Sequence, residues 1–270
     1  MAPLKVLVGV KRVIDFAVKV RVAPGGHVVQ EQGVKHSLNP FCEIALEEAV
    51  RMRERGEAAE VIAATVGSRQ SQDALRTALA LGADRAVLVE LPGAGPEQGA
   101  GPGAGPGQGA GPPLVAAALA KLVEREKPQL VLLGKQAIDD DCNQTGQILA
   151  AILDWSQGTF LSRLELDPGS SSVRIQREVD GGLEQLRLQL PTVLTADLRL
   201  NQPRYATLPN IMKAKKKPLE VQPLEQLLGG PVPPPRLRVL RLEEPPVRQG
   251  AQRVESVPAL LERLAALGRI

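Results

Sequence analysis

Aromatic side chains are nearly missing from this chain. Phe16, Phe41, Trp155, Phe160 and Tyr205 are the only rings, 2% of 270 residues. A single-strand nucleic-acid binder that stacks bases on rings would be poorly equipped, and the core must be aliphatic. Cysteine is scarce too. Cys42 and Cys142 cannot build a disulfide framework, and with His27 and His36 they match no zinc spacing. That usage fits a reducing compartment. No apolar run approaches the ~20 residues of a membrane span, which argues against membrane insertion. Thirty-three Lys and Arg against 30 Asp and Glu leave +3, too small a surplus to argue for nucleic acid as a partner.

What is present is ordinary globular material, 43% hydrophobic and 23% charged, enough for one large domain or two small ones. Apolar runs of strand length alternate with helix-period segments. Leu4–Val10, Glu60–Val66, Ala86–Leu91 and Gln129–Leu133 are continuous aliphatic runs, as strands buried on both faces should be. Between them lie segments with i, i+3, i+4 spacing, such as Val115, Ala118, Leu119, Leu122 and Val123. The pattern predicts an α/β fold: an open, mostly parallel, doubly wound sheet. Val18–Val22 alternates with period two and precedes Pro24-Gly25-Gly26 and Val28-Val29, which reads as a β-hairpin excursion. The first segment is basic, with Lys5, Lys11, Arg12, Lys19 and Arg21 against Asp15. It reads as solvated strand ends or as an uncleaved import signal, without the apolar h-region of a secretory leader.

Residues 93–113 are low-complexity Gly, Pro and Ala, expected to be a disordered insertion with nothing to bury. Val173–Val179 and Leu183–Leu190 flank Asp180-Gly181-Gly182, a hairpin signal. Thr192–Leu200 reads as one further strand, with Asp197 and Arg199 on the face opposite Ala196, Leu198 and Leu200. The expected division is a nucleotide-binding α/β domain over 1–212 and a C-terminal arm over 218–270. From Lys213 the chain shows no core pattern for some thirty residues, and an amphipathic helix from near Ser256 ends the arm, expected to pack on a partner subunit or else on its own domain.

Three segments fall outside the carboxyl ends of strands, where a doubly wound sheet binds ligands. They are the first strand end around Gly9, the helix start Asn39-Pro40-Phe41-Cys42, and Gly134-Lys135-Gln136-Ala137-Ile138-Asp139-Asp140-Asp141-Cys142-Asn143-Gln144-Thr145. Asn39 is a favoured N-cap and Pro40 a favoured first helical residue. The third segment enters a helix whose free N–H groups suit an anion, with Thr145 as a hydroxyl donor and Gly146 leaving room for a phosphate. Neither a GxGxxG nor a Walker A loop is present. Asp139–Asp141 has the oxygen chemistry for Mg²⁺, but adjacent side chains diverge, so capping or solvation is preferred and no metal is assigned. Cys142 near a helix start has no histidine in triad logic beside it, so no catalytic residue is assigned. Lys135 either reaches a phosphate or is solvated.

Longer runs carry a resemblance. Val10–Asp15, Val34–Ala45, Leu133–Gln147, Thr195–Asn201 and Pro203–Lys217 closely resemble electron transfer flavoprotein β subunits of the mitochondrial animal type. The likeness spans essentially the whole chain, and the Gly/Pro insertion is its one clear departure. It implies a heterodimer with an α subunit that holds one FAD, located in the mitochondrial matrix. Electrons would arrive from acyl-CoA and other matrix dehydrogenases and leave to a membrane quinone oxidoreductase, so the chain is a carrier subunit without turnover of its own. The same resemblance implies one AMP on the β subunit, bound by the three segments above together with Val66, which replaces a different small residue. Phe16 would stand near the flavin, keeping a ring and lacking a hydroxyl. Partner docking falls to Arg204-Tyr205-Ala206-Thr207-Leu208-Pro209-Asn210-Ile211-Met212-Lys213, with Leu208 as the inserted anchor. Pro203 and Pro209 lead one to expect a projecting loop there. Methylation is implied at Lys213 and Lys216. The rivals are a free-standing nucleotide sensor of the universal-stress-protein type, which shares the sheet topology, and a bifurcating flavoprotein subunit with a second FAD in place of AMP.

Overall fold

The computed structural model describes residues 3–91, 111–167, 169–234, 239–247 and 250–270. Strand β1 (Leu4–Gly9) is buried along nearly its whole length, as its unbroken aliphatic run requires. β2 (Arg12–Ile14) and β3 (His36–Leu38) pair antiparallel at the base of the excursion. The expected strand Val18–Val22 does not form: among the described residues its only ladder contact is a bridge from Val22 to Val29, and Val20 lies exposed. With no second sheet or helix to cover it, period-two alternation there has nothing to bury.

Helix α1 (Pro40–Glu54) leads to β4 (Ala58–Gly67), then α2 (Gln72–Leu81) and β5 (Arg85–Glu90). α3 (Pro112–Glu126) begins inside the span assigned to the insertion. Gly111 is its N-cap and Pro112 and Pro113 open its first turn, so the insertion boundary is corrected to end before them. Residues 93–110, the rest of that expectation, lie outside the described residues. β6 (Leu130–Gly134) and α4 (Thr145–Leu153) follow.

The chain then enters an 11-residue strand, β7 (Ser156–Leu166), that the hydrophobic pattern hides. Gly158 sits where a Cβ would strike Ile175 and Leu194, and Phe160 adopts a positive φ of 59° at a register shift. A bulge breaks the alternation a reader would look for. β8 (Ser172–Val179) and β9 (Gly182–Gln189) form the expected hairpin. β10 (Thr192–Ala196) stops four residues short of the expected strand end, so Asp197 and Arg199 share no strand face. Asp197 is buried and accepts from the Arg199 N–H at 3.1 Å, which turns the chain out of the sheet.

The docking segment is not a projecting loop but a helix, α5 (Leu208–Ala214), because Thr207 caps it by accepting from Asn210 N at 3.4 Å and Pro209 sits in its first turn. In the stretch without a visible core pattern, β11 (Leu219–Pro223) pairs parallel with β5, and α6 (Leu224–Leu228) buries Leu224 completely. Helix α7 (Val257–Ala266) buries nothing.

The large sheet runs β11-β5-β4-β1-β6-β10-β7-β8-β9, with every neighbouring pair parallel except at one end, where β8 runs antiparallel to β7 and β9. From β1 the chain winds outward through β4 to β5, then crosses back to lay β6 on the other side of β1. That reversal leaves a crevice at the carboxyl ends of β1 and β6. One core packs Val6 and Val8 with Leu46 and Leu75 from α1 and α2. The other packs Leu7 and Val131 with Leu122 and Leu149 from α3 and α4.

Candidate functional site: a crevice at the strand ends

The three ligand-facing segments meet in one crevice at this reversal. Gly9, Asn39, Cys42, Val66, Gly134, Lys135, Gln136, Ala137, Asp140, Cys142, Asn143, Gln144 and Thr145 line it. Pro40, Phe41, Ile138, Asp139 and Asp141 do not reach the lining and act from behind. Gly146, expected to leave room for a phosphate, lines it too, and so do Lys11, Thr65, Pro112, Val115 and Leu119, for which the sequence suggested no such place. Pro112 and Val115 belong to the first turn of α3, and the proline opening that turn was the signal that could have found them.

Asn39 is the centre of the construction. It is the N-cap residue of α1, as expected, but its side chain makes no capping bond. Fully buried, its Nδ2 donates to Gln136 O at 2.9 Å, and its Oδ1 accepts from Ile138 N at 3.2 Å. The start of α1 thereby holds the segment between β6 and α4. Gly134 is needed at the same junction, since a Cβ would lie 2.7–2.9 Å from Phe41 Cβ, Phe41 C and Cys42 N. Cys42 is buried and its thiol is pushed up by that burial, so it is an uncharged packing group.

The acidic run is engaged by a lysine. Lys11 Nζ donates to Asp139 Oδ1 at 2.8 Å and to Asp140 Oδ2 at 3.0 Å. Burial works against that ammonium, yet the two carboxylates hold its pKa above the ordinary value. Asp140 also accepts from Cys142 N at 3.1 Å, and Asp141 accepts from Gln136 Nε2 at 3.0 Å. None of the three caps α4, so the capping expectation is corrected. No group of three or more potential metal ligands occurs among the described residues. Burial and the Asp140 charge push the Cys142 thiol up, the wrong direction for a nucleophile.

Lys135 is neither free nor solvated. Its Nζ pairs with Asp197 Oδ2 at 2.8 Å and lies 5.4 Å from the centre of the Phe41 ring and 5.1 Å from that of Phe160. Ion pair and ring faces together fix the lysine at the crevice wall. Gly146 is also reassigned: a Cβ there would sit 2.5 Å from Thr195 Cγ2, so its smallness serves the packing of α4 on β10.

The remaining polar groups point to a ligand. Asp141 and Asn143 both have positive φ, 47° and 55°, which curls the backbone ahead of the α4 start. The amide oxygens of Asn143 and Gln147 are buried without a hydrogen-bond partner among the described residues. Free N–H groups at a helix start and a threonine hydroxyl suit a phosphate, and orphan amides suit a heterocycle edge or a ribose. These residues fit a mononucleotide. Phe16, 79% exposed, stands outside the crevice, as does the α5 segment.

An open α/β sheet with a ligand crevice at its topological reversal defines the structural class. The comparisons define the family. A family model of the electron transfer flavoprotein domain matches residues 26–99 and 109–227, its gap falling within the Gly/Pro insertion. The chain is 55% identical to electron transfer flavoprotein subunit beta of Mus musculus and of Homo sapiens, over the full length of both partners. It is 52% identical to the protein named electron transfer flavoprotein subunit beta, mitochondrial, of Oryza sativa subsp. indica, covering 99% of this chain. The chain belongs to the electron transfer flavoprotein family, on its β-subunit side.

Proposed function

We propose that this chain pairs with an α subunit to form an electron carrier in the mitochondrial matrix. The α subunit would hold most of one FAD, and this chain would hold one AMP as a structural group. When bound, FAD supplies the redox chemistry, whereas AMP supplies none. The residues that would hold AMP are Gly9, Asn39–Cys42, Val66 and Gly134–Thr145, the last ending at the α4 N–H groups. Their work is binding and orientation: Asn39 and Lys11 fix the segment, and Thr145 donates toward an anion. Phe16 is free to meet a flavin brought by the partner. Acyl-CoA and other matrix dehydrogenases would dock on Arg204–Lys213 through Leu208, and a membrane quinone oxidoreductase would take the electrons. Lys213 and Lys216, both exposed, are accessible to methylation, which keeps the charge and removes donors. The subunit needs no turnover of its own.

The observation that carries this reading is the crevice itself. Donors for a phosphate and the unpartnered Asn143 amide oxygen meet there, in a chain that matches the flavoprotein relatives from end to end. Co-expressing the chain with its α subunit and releasing bound molecules with acid tests it. Equal amounts of AMP and FAD are expected. Two FAD without AMP would favour the bifurcating type, and ATP turnover by the chain alone would favour the nucleotide sensor.

A further inference from the structure

Helix α5 exposes Leu208, Ile211 and Met212 at 72%, 41% and 55%, and buries only Ala214. Seven residues cannot sustain a helix in water. Something other than apolar burial therefore holds it, and the structure provides two polar anchors.

The upstream anchor is on α1. Arg204 Nε donates to Glu47 Oε2 at 2.7 Å, while Nη1 and Nη2 donate to the two oxygens of Glu54 at 2.6 and 2.9 Å. The Arg204 backbone N–H also donates to Glu47 Oε2, at 3.2 Å. Arg51 completes the group, donating to Glu47 Oε1 at 2.6 Å and to the Gln202 carbonyl at 2.8 Å. The downstream anchor is on α2. Arg76 Nη1 donates to the Ala214 carbonyl at 2.9 Å and to the Lys217 carbonyl at 3.2 Å. Lys217 Nζ donates to the carbonyls of Leu79 and Ala83 at 3.0 and 2.6 Å.

We propose that Arg204, acting through buried Glu47, is a positioning residue that holds the apolar row of α5 in the form a partner binds. The inference rests on the reading of residues 204–213 as the docking segment. A helix tied by its ends keeps its apolar side chains free, and a partner then meets them already ordered. Both carboxylates are read by one planar fork, which a lysine cannot reproduce. The anchor lies outside the crevice lining. Its loss therefore changes the fraction of competent molecules and leaves the electron-transfer step alone.

The test uses the assembled heterodimer with its FAD, and an acyl-CoA dehydrogenase as donor. Arg204→Gln, Leu208→Ala and the double variant are compared with wild type by KM for the carrier, kcat and amide exchange over residues 205–213. If Arg204→Gln leaves about a tenth of molecules competent, KM rises about tenfold with kcat unchanged. Exchange should quicken over 205–213 only, and flavin reduction by dithionite should keep its rate. The double variant should raise KM by about the product of the two single effects, because Leu208→Ala weakens the contact and Arg204→Gln thins the population able to make it. Unchanged KM in Arg204→Gln, or a raised KM without quickened exchange over 205–213, would overturn the proposal. Should Leu208→Ala behave as wild type, the docking reading fails, and unaltered exchange in Arg204→Gln then overturns the anchor separately. If Arg204→Gln does not fold, Arg204→Lys, which cannot hold both carboxylates, must give the same signature, and wild-type KM and exchange there overturn the proposal.

Discussion

Asn39 shows how one side chain can be given more than one task by its surroundings. Asparagine before proline at a helix start reads as a cap, and the backbone does place it there. Its amide, however, is spent on Gln136 and Ile138, almost a hundred residues away in sequence. Nothing local announces such a partner, so the position was legible and its role was not. Replacing it with alanine should cost about 1–3 kcal/mol, because a part-buried carbonyl and a part-buried N–H lose their partner. Asn39→Asp, nearly the same shape, should cost at least as much, since a carboxylate oxygen would face the Gln136 carbonyl. Thermal unfolding of the two variants checks the order, and an aspartate variant as stable as wild type would refute the tether. Lys135 and Gly146 teach the same lesson. Their types suggested phosphate contacts, whereas an ion pair and a tight helix–strand approach account for them.

At the scale of elements, strands buried on both faces were the easiest to read, because continuous aliphatic runs of that length have few other uses. β1, β4, β5 and β6 follow their runs to within two or three residues at each end. β7 and β11 were hidden for opposite reasons: β7 is bent by a bulge at Phe160, and β11 is an edge strand with little to bury. α5 was hidden because its stability lies in distant carboxylates. Those carboxylates make the helix sensitive to acid. Burial raises the Glu47 carboxyl, but donation from Arg204 and Arg51 outweighs it and leaves the group below its ordinary 4.5. Donation from Arg204 lowers Glu54 in the same direction. Depressed carboxyls contribute stability in full above their unfolded value and lose it as the pH falls through the folded one. Amide protection across residues 205–213, corrected for intrinsic exchange, should therefore decline as the pH drops below 4.5. Protection that stays flat through that range would place the anchor elsewhere.

For the whole molecule, the crevice unites elements from both windings of the sheet, so its occupant belongs to the native state alone. A mononucleotide there should stabilise by RT ln(1 + [L]/Kd), about 2.7 kcal/mol at a hundredfold excess over Kd. Adding AMP to nucleotide-stripped heterodimer should raise its melting temperature in proportion to the logarithm of concentration, and a flat response would exclude AMP as the occupant. The topology also sets an order of events. Gly9 and Asn39 are made early, whereas Gly134–Thr145 and the strand that seats beside β1 come more than ninety residues later. A ribosome extending this chain exposes β1, β4 and β5 with one flank of β1 unpaired until Leu130–Gly134 emerges. During that interval the growing chain has half a sheet and no nucleotide to steady it. The open flank of β1 is then a surface for a chaperone to guard.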